Sequence, residues 1–215
     1  FARDVARLME FCYKYGIQVV DDEIQAGLGR TGKMWACEYF GVEPDVLVTS
    51  KSLGSGLPIS GTIVRESIMG GREKELLPIG WHSLTFMGAP LCCTAGLATI
   101  EAIEKENLVE NAEEAGRHLQ FRLKNIAENF KSSFRLIVKG LGLMCGLEFR
   151  WLDNRPNSPV RNKVIEMAFR RGLILIGSGH PDKNPTIRFM PPICVTKDQI
   201  NEAMDIVQNC LKSLR

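Results

Sequence analysis

Asp22 and Lys51 stand where this chain can do electrostatic and covalent chemistry. Each follows a short apolar run, Ile17-Gln-Val-Val20 before Asp21-Asp22 and Val46-Leu-Val-Thr49 before Ser50-Lys51. Read as strands of an open α/β sheet, the two runs place both side chains at carboxyl ends, the edge where such sheets hold ligands. A lysine between an apolar strand and small residues is poorly solvated, and its free amine adds to a carbonyl carbon to form a Schiff base. A carboxylate at the neighbouring strand end pairs with a cation. Taken singly, each reads equally as a strand-end charge that simply reaches water. Gly27-Leu-Gly-Arg-Thr-Gly32 has the GxGxxG spacing of a dinucleotide loop. That loop works when its glycines lie directly between a strand and a helix N-terminus. Here Glu23-Ile-Gln-Ala26 intervenes and no apolar helical stripe follows Gly32, so the segment reads better as a tight glycine turn.

The elements that must position these residues are legible as periodicity. Phe1, Val5, Leu8, Cys12 and Tyr15 step by four and three, a helix stopped at Gly16. Val46–Thr49 is a second buried-type strand, and Ser60 to Val64 a third strand candidate. Continuous apolar strands alternating with helices predict an α/β layer with a largely parallel sheet. Pro90 to Lys105 reads as a helix. A second follows, with Leu108, Ala112, Ala115, Leu119, Leu123, Ile126 and Phe130 as its stripe and Asn107 as its N-cap. Phe134 to Val138 and Leu143 to Phe149 read as an antiparallel pair around Gly140-Leu-Gly142. Ser158-Pro159 caps and starts a helix that ends at Arg170-Arg171-Gly172. Thr196-Lys-Asp-Gln199 is a capping box for a last helix with core face Ile200, Ala203, Val207, Cys210 and Leu214. The domain boundary falls near residues 105 to 112, giving one unit over 1–107 and a smaller α+β unit over 108–215.

Composition narrows the classes. The 215 residues include 27 basic and 25 acidic side chains, a charge of +2, which argues against binding nucleic acid by counterion release. No apolar run approaches the ~18 residues of a membrane span. The seven cysteines form no CxxC pair and lie far in sequence from the three histidines, so neither a disulfide framework nor a metal site is expected and a reducing, cytoplasmic setting fits. Phe1-Ala-Arg-Asp opens a charged amphipathic helix, not a signal peptide. With no initiator Met, the chain is expected to begin inside a longer protein.

Longer stretches carry a family resemblance. Val20-Asp-Asp-Glu-Ile-Gln-Ala-Gly-Leu-Gly-Arg-Thr-Gly-Lys33 resembles the "DEVQTGFGRTGK" stretch of class III pyridoxal-phosphate aminotransferases. Gly41-Val-Glu-Pro-Asp-Val-Leu-Val-Thr-Ser-Lys51-Ser-Leu-Gly-Ser-Gly-Leu-Pro58 resembles their cofactor-lysine segment. Ser83-Leu-Thr85-Phe-Met-Gly-Ala-Pro90 is similar to "GTFGGNP", Val138-Lys-Gly-Leu-Gly-Leu-Met144 to "VRGRGLM", and Thr186-Ile-Arg188-Phe-Met-Pro-Pro192 to "LRFSPPL". These matches, in order, cover most of the chain. Ala89 in place of Asn and Met87 in place of Gly depart from the phosphate loop. The family's N-terminal half, with a phosphate-binding loop and an aromatic residue that stacks on the ring, has no counterpart here.

The resemblance implies fold type I: the carboxyl-terminal part of a large, mostly parallel-sheet domain followed by a small α+β domain. It also implies pyridoxal 5′-phosphate as cofactor. Lys51 forms the Schiff base and shuttles the proton between Cα and C4′. Asp22 holds the pyridine nitrogen protonated, Gln25 lies near the phenolic oxygen, Thr85 reaches the phosphate of the neighbouring subunit in a homodimer, and Arg188 clamps a substrate carboxylate. The implied reaction moves an amino group from an amino acid or ω-amino acid to a 2-oxo acid, as in 4-aminobutyrate, ornithine and acetylornithine aminotransferases. Rival readings are a racemase, epimerase or aminomutase of the same family, a nicotinamide-dinucleotide-binding module on the glycine motif, and a non-catalytic fragment. His82, His118 and His180 read as surface or packing histidines.

Overall fold

Val20, Asp21 and Asp22 pair in parallel register with Val46, Leu47 and Val48, forming strands β1 (Val20–Asp22) and β2 (Val46–Thr49). β1 thus starts three residues beyond Ile17 and takes in both aspartates. The chain before it is held instead by Asp45, whose carboxylate accepts the Val19 N–H at 2.8 Å and whose own N–H donates to the Val19 carbonyl at 2.9 Å. β3 (Gly61–Val64) pairs antiparallel with β2, so the sheet β1-β2-β3 is mixed where the strand pattern predicts a largely parallel one. The structure, a computed structural model, describes residues 2–69, 84–130 and 133–214. The chain divides into two units, Phe1–Val109 and Glu110–Arg215.

In the first unit, helix α1 (Ala2–Lys14) ends before Gly16, whose φ of 66° reverses the chain. Its periodicity is helical, yet Met9 is the residue it buries while Leu8, Phe11 and Tyr15 stay exposed. A single turn, α2 (Glu66–Met69), follows β3. Helix α3 (Pro90–Lys105) and helix α4 (Leu108–Asn129) are separated by Asn107 at φ 52°. Asn107 is therefore a left-handed break between helices, a conformation asparagine tolerates, rather than an extended N-cap.

The second unit is a four-stranded antiparallel sheet of order β4-β5-β7-β6: β4 (Phe134–Leu141), β5 (Met144–Trp151), β6 (Ile176–Ser178) and β7 (Thr186–Phe189). One face packs in a single core with α4, α5 (Ser158–Phe169) and α6 (Lys197–Lys212). Alternation selects that face: Cys145, Leu147 and Phe149 on β5 stand beside Ile187 and Phe189 on β7, all buried. Leu119, Leu123 and Ile126 of α4 meet them, with Met204 and Val207 of α6. The hairpin turns at Gly142-Leu143, because Leu141 already pairs with Met144, and not around Gly140-Leu-Gly142. The N-cap of α5 is Asn157, whose side chain accepts the Val160 N–H at 3.2 Å; Ser158 bonds the Pro181 carbonyl instead. Thr196 and Gln199 make the expected reciprocal capping box at 3.0 and 3.2 Å.

Helix and hairpin meet backbone to backbone. A Cβ built on Gly116 of α4 would lie 2.3 Å from the Gly142 carbonyl carbon, so only glycine fits. Gly116→Ala improves helix propensity by about 1 kcal/mol but forces the hairpin off the helix. A net loss of about 1–3 kcal/mol in unfolding free energy is expected, read by urea denaturation; unchanged stability would mean the contact is dispensable.

Candidate active site

The β1–β2 ladder sets the positions of the first site residues. Asp22 is in register with Val48, and the Glu23 N–H continues the ladder to the Val48 carbonyl at 2.9 Å. Asp22 and Lys51 therefore stand at the carboxyl ends of two adjacent parallel strands, the two lying three residues apart in ladder register. One Asp22 oxygen accepts the Ile24 N–H at 3.1 Å, and the other has no partner among the described residues. Gln25, half-buried, follows in the same turn.

Lys51 opens a 3₁₀ turn, Lys51–Gly54, with a left-handed φ of 44°. A non-glycine residue there carries about 1–3 kcal/mol of strain unless its surroundings hold it. They do so through the Ser50 hydroxyl, which donates to the Ile59 carbonyl at 3.0 Å, and through buried Leu53 and Gly54. Helix α3 offers Gly96 beneath Ile59 and Leu53, and the Thr99 hydroxyl meets Ser55 at 2.9 Å. The lysine side chain itself is exposed and makes no ion pair or hydrogen bond among the described residues. The poor solvation read from its neighbours is thus not present in this chain. Thr85 rides on an exposed turn ahead of α3, and Ser83 and His82 fall outside the described residues.

The glycine loop is a dense turn with no α-helix after it, only the short 3₁₀ turn Ala36–Phe40. Gly27 is required there, since a Cβ would meet the Trp35 ring at 2.8 Å and the Glu23 carbonyl at 2.9 Å. Beneath it lies a group the motif reading does not single out. Glu23 is 2 % exposed; its Oε1 accepts the Cys37 N–H at 2.9 Å, and its Oε2 is buried without a donor. Donor atoms of Asp21, Glu23 and Cys37 all lie within 4.8 Å of one another. Burial pushes the Asp21 and Glu23 carboxyls up from their ordinary values; the charge of Asp21 adds to the rise at Glu23 and that of Asp22 to the rise at Asp21, which its hydrogen bond with Glu23 partly offsets. Burial and the same two acids push the Cys37 thiol to about 11. Alternation along a strand was the available signal, because residues 21 and 23 share the face opposite Asp22.

Arg188 belongs to the second unit, on the sheet face turned away from the helices. Ile187 and Phe189 anchor β7 in the core, and Arg188 stands half-buried beside Gly146 of β5, which contributes no side chain. The other cations of this face are engaged. Arg135 bonds Asn154, while Lys139 and Arg150 both bond Glu148, which is 1 % exposed. Burial alone would raise the Glu148 carboxyl, but these two cations outweigh it and hold it below the ordinary range. Arg188 has no carboxylate or hydrogen-bond acceptor among the described residues, so its fork is open to an anion. His118 packs α4 on α6 through Asn201 at 2.8 Å, and His180 sits in an exposed turn.

The family model of class III aminotransferases matches residues 3–211. An acetylornithine aminotransferase of Prochlorococcus marinus is 34% identical over 96% of this chain and 46% of its own length. An alanine/serine racemase of Pyrococcus horikoshii is 38% identical over 99% of this chain and 42% of its own. The structure superposes on a transaminase from the marine bacterium Virgibacillus with a TM-score of 0.91 at 29% identity, covering 100% of this chain and 49% of that one. The chain thus spans about half the length of the proteins it matches.

The buried acids make stability depend on pH in a defined direction. Both carboxyls have folded values above their ordinary 3.8 and 4.5, so the folded state binds the extra proton and loses stability as pH rises through the raised values. Asp21→Asn removes one of the two titrating groups. Denaturation from about pH 4 to 8 is expected to show the variant gaining on the parent as pH rises; parallel curves would mean the pair titrates normally.

Proposed function

Because the chain belongs to the class III aminotransferases, we propose that it is the carboxyl-terminal half of a pyridoxal-phosphate-dependent transaminase. Its substrates are an amino acid or ω-amino acid and a 2-oxo acid. The observation that carries this reading is the pairing of Asp22 and Lys51 at the ends of adjacent parallel strands, each with an uncommitted functional atom. That donor set suits the cofactor: a free carboxylate oxygen for a protonated ring nitrogen and a free amine for an aldehyde. Bound there, pyridoxal phosphate supplies the aldehyde and, through its protonated ring, an electron sink for the carbanion at Cα.

The residues divide the remaining work. Lys51 Nζ would hold the cofactor's aldehyde and would move the proton at the substrate Cα. Asp22 keeps the ring nitrogen protonated, because a negative charge close by favours the cationic form. Gln25 would donate to the phenolic oxygen, and Thr85 would donate to the phosphate of the neighbouring subunit in a homodimer. Arg188, free on its sheet face, takes the substrate carboxylate in a two-pronged grip that lysine cannot match. Residues 1–107 then form the end of the large cofactor-binding domain and 108–215 the small domain. All seven cysteines are free, which suits a cytoplasmic location.

A second reading is favoured by the 38% identity to the racemase: the same residues return the proton to Cα from the other side, inverting the centre. The two separate cleanly in the full-length protein, since transamination yields a keto acid and racemisation only loss of optical rotation.

Borohydride is expected to fix the cofactor covalently on Lys51 of the full-length protein, read by peptide mapping. Label on Lys14 or Lys33 would overturn the assignment. Arg188→Ala is expected to weaken carboxylate substrates through KM by about 2–3 kcal/mol while cofactor binding is little changed; unaltered kinetics for every acid substrate would leave Arg188 a solvated strand residue.

A further inference from the structure

Asp21, Glu23 and Cys37 have no part in the roles above, yet Glu23 is the most deeply buried acid among the described residues of the first unit, with half-buried Asp21 beside it. Glu23 leaves the strand on the side opposite Asp22, and its carboxyl reaches back to the 3₁₀ turn Ala36–Phe40, where Oε1 accepts the Cys37 N–H at 2.9 Å. Ile24, the next residue, donates its N–H to the Asp22 carboxylate at 3.1 Å. Gln25 follows it directly. The peptide that aims Asp22 and carries Gln25 is therefore anchored by the Glu23 side chain.

That anchor is incomplete as two carboxylates. Glu23 Oε2 is buried with no donor, and the Asp21 carboxyl stands within 4.8 Å. The groups acting on the pair are Asp22 on the same strand, and the Ala36 amide and Cys37 on the facing turn, with Glu38 adding its charge beside Cys37. None of these is a cation. Two like charges this close and this poorly solvated cannot both ionise cheaply. One proton between them removes the repulsion and gives Oε2 its missing hydrogen bond.

We propose that Glu23 is a positioning residue: its buried carboxyl shares one proton with Asp21, accepts the Cys37 amide, and so clamps the turn that orients Asp22 and Gln25. The catalytic consequence rests on the transaminase reading; the clamp does not. Above the pH at which the shared proton leaves, the pair repels, the turn loosens, and Asp22 loses its fixed aim.

Four forms of the full-length protein test this: the parent, Glu23→Gln, Glu23→Ala and Asp21→Asn. Glutamine offers an oxygen to Cys37 and a permanent N–H to Asp21, so it replaces the shared proton. Glu23→Ala is expected to lower kcat by about 10- to 100-fold, with KM for carboxylate substrates little changed and the visible band of bound cofactor altered. Glu23→Gln is expected to restore kcat and, like Asp21→Asn, to abolish the loss of that band at alkaline pH. A Glu23→Ala protein equal to the parent, or a glutamine variant no better than alanine, would overturn the proposal. Carbon-13 titration of the carboxyls reads the clamp even if no pyridoxal phosphate binds, which separates its failure from that of the functional reading. The expected result is one proton held above the ordinary carboxylate range in the parent. Both carboxyls titrating normally, or a divalent metal retained at one per chain and lost in Cys37→Ser, would place something other than a shared proton there.

Discussion

The parallel pairing of Val20-Asp21-Asp22 with Val46-Leu47-Val48 is the constraint on which the first unit depends. A parallel ladder requires both chains to run the same way, so whatever follows each strand emerges at the same edge. The turn after β1 and the turn after β2 are thereby brought side by side, although 28 residues separate Asp22 from Lys51 in between. Everything else in the unit refines that juxtaposition. Asp45 ties the entry of β1 to β2, and α3 braces the left-handed turn at Lys51 through Gly96 and Thr99. The left-handed turn at Lys51 is held by the Ser50 hydroxyl on the Ile59 carbonyl and by buried Leu53.

The two units treat charge differently, and the difference follows from solvent. On the open face of the second sheet, Glu148 is buried but receives Lys139 and Arg150, so it remains ionised. Beneath the glycine loop of the first unit, half-buried Asp21 and buried Glu23 have no paired cation among the described residues, so burial favours their protonated forms. A buried carboxylate with two cations locks a sheet face at any ordinary pH. A buried acid pair without one is sensitive to it. Arg188, on the face where the other cations are paired, is left with an unbalanced positive charge, the physical basis for proposing that it meets a substrate carboxylate.

Sequence alone determined the family, the helices and the residues to inspect. Helical stripes such as Ala112-Ala115-Leu119-Leu123-Ile126 and the Thr196-Gln199 box are local patterns, set by the 3.6-residue repeat and by caps within four residues. Motif spacing around Asp22, Lys51 and Arg188 was equally local. What required the fold was every property that depends on neighbours distant in the chain. The direction of β3 made the sheet mixed; Asn157 displaced Ser158 as cap because the Pro181 carbonyl claims the serine hydroxyl. The exposed amine of Lys51, the open fork of Arg188, and the buried proximity of Asp21, Glu23 and Cys37 were decided in the same way. Solvation and charge balance are sums over spatial neighbours, and a linear pattern names the residues without saying which water or which counter-charge each will have.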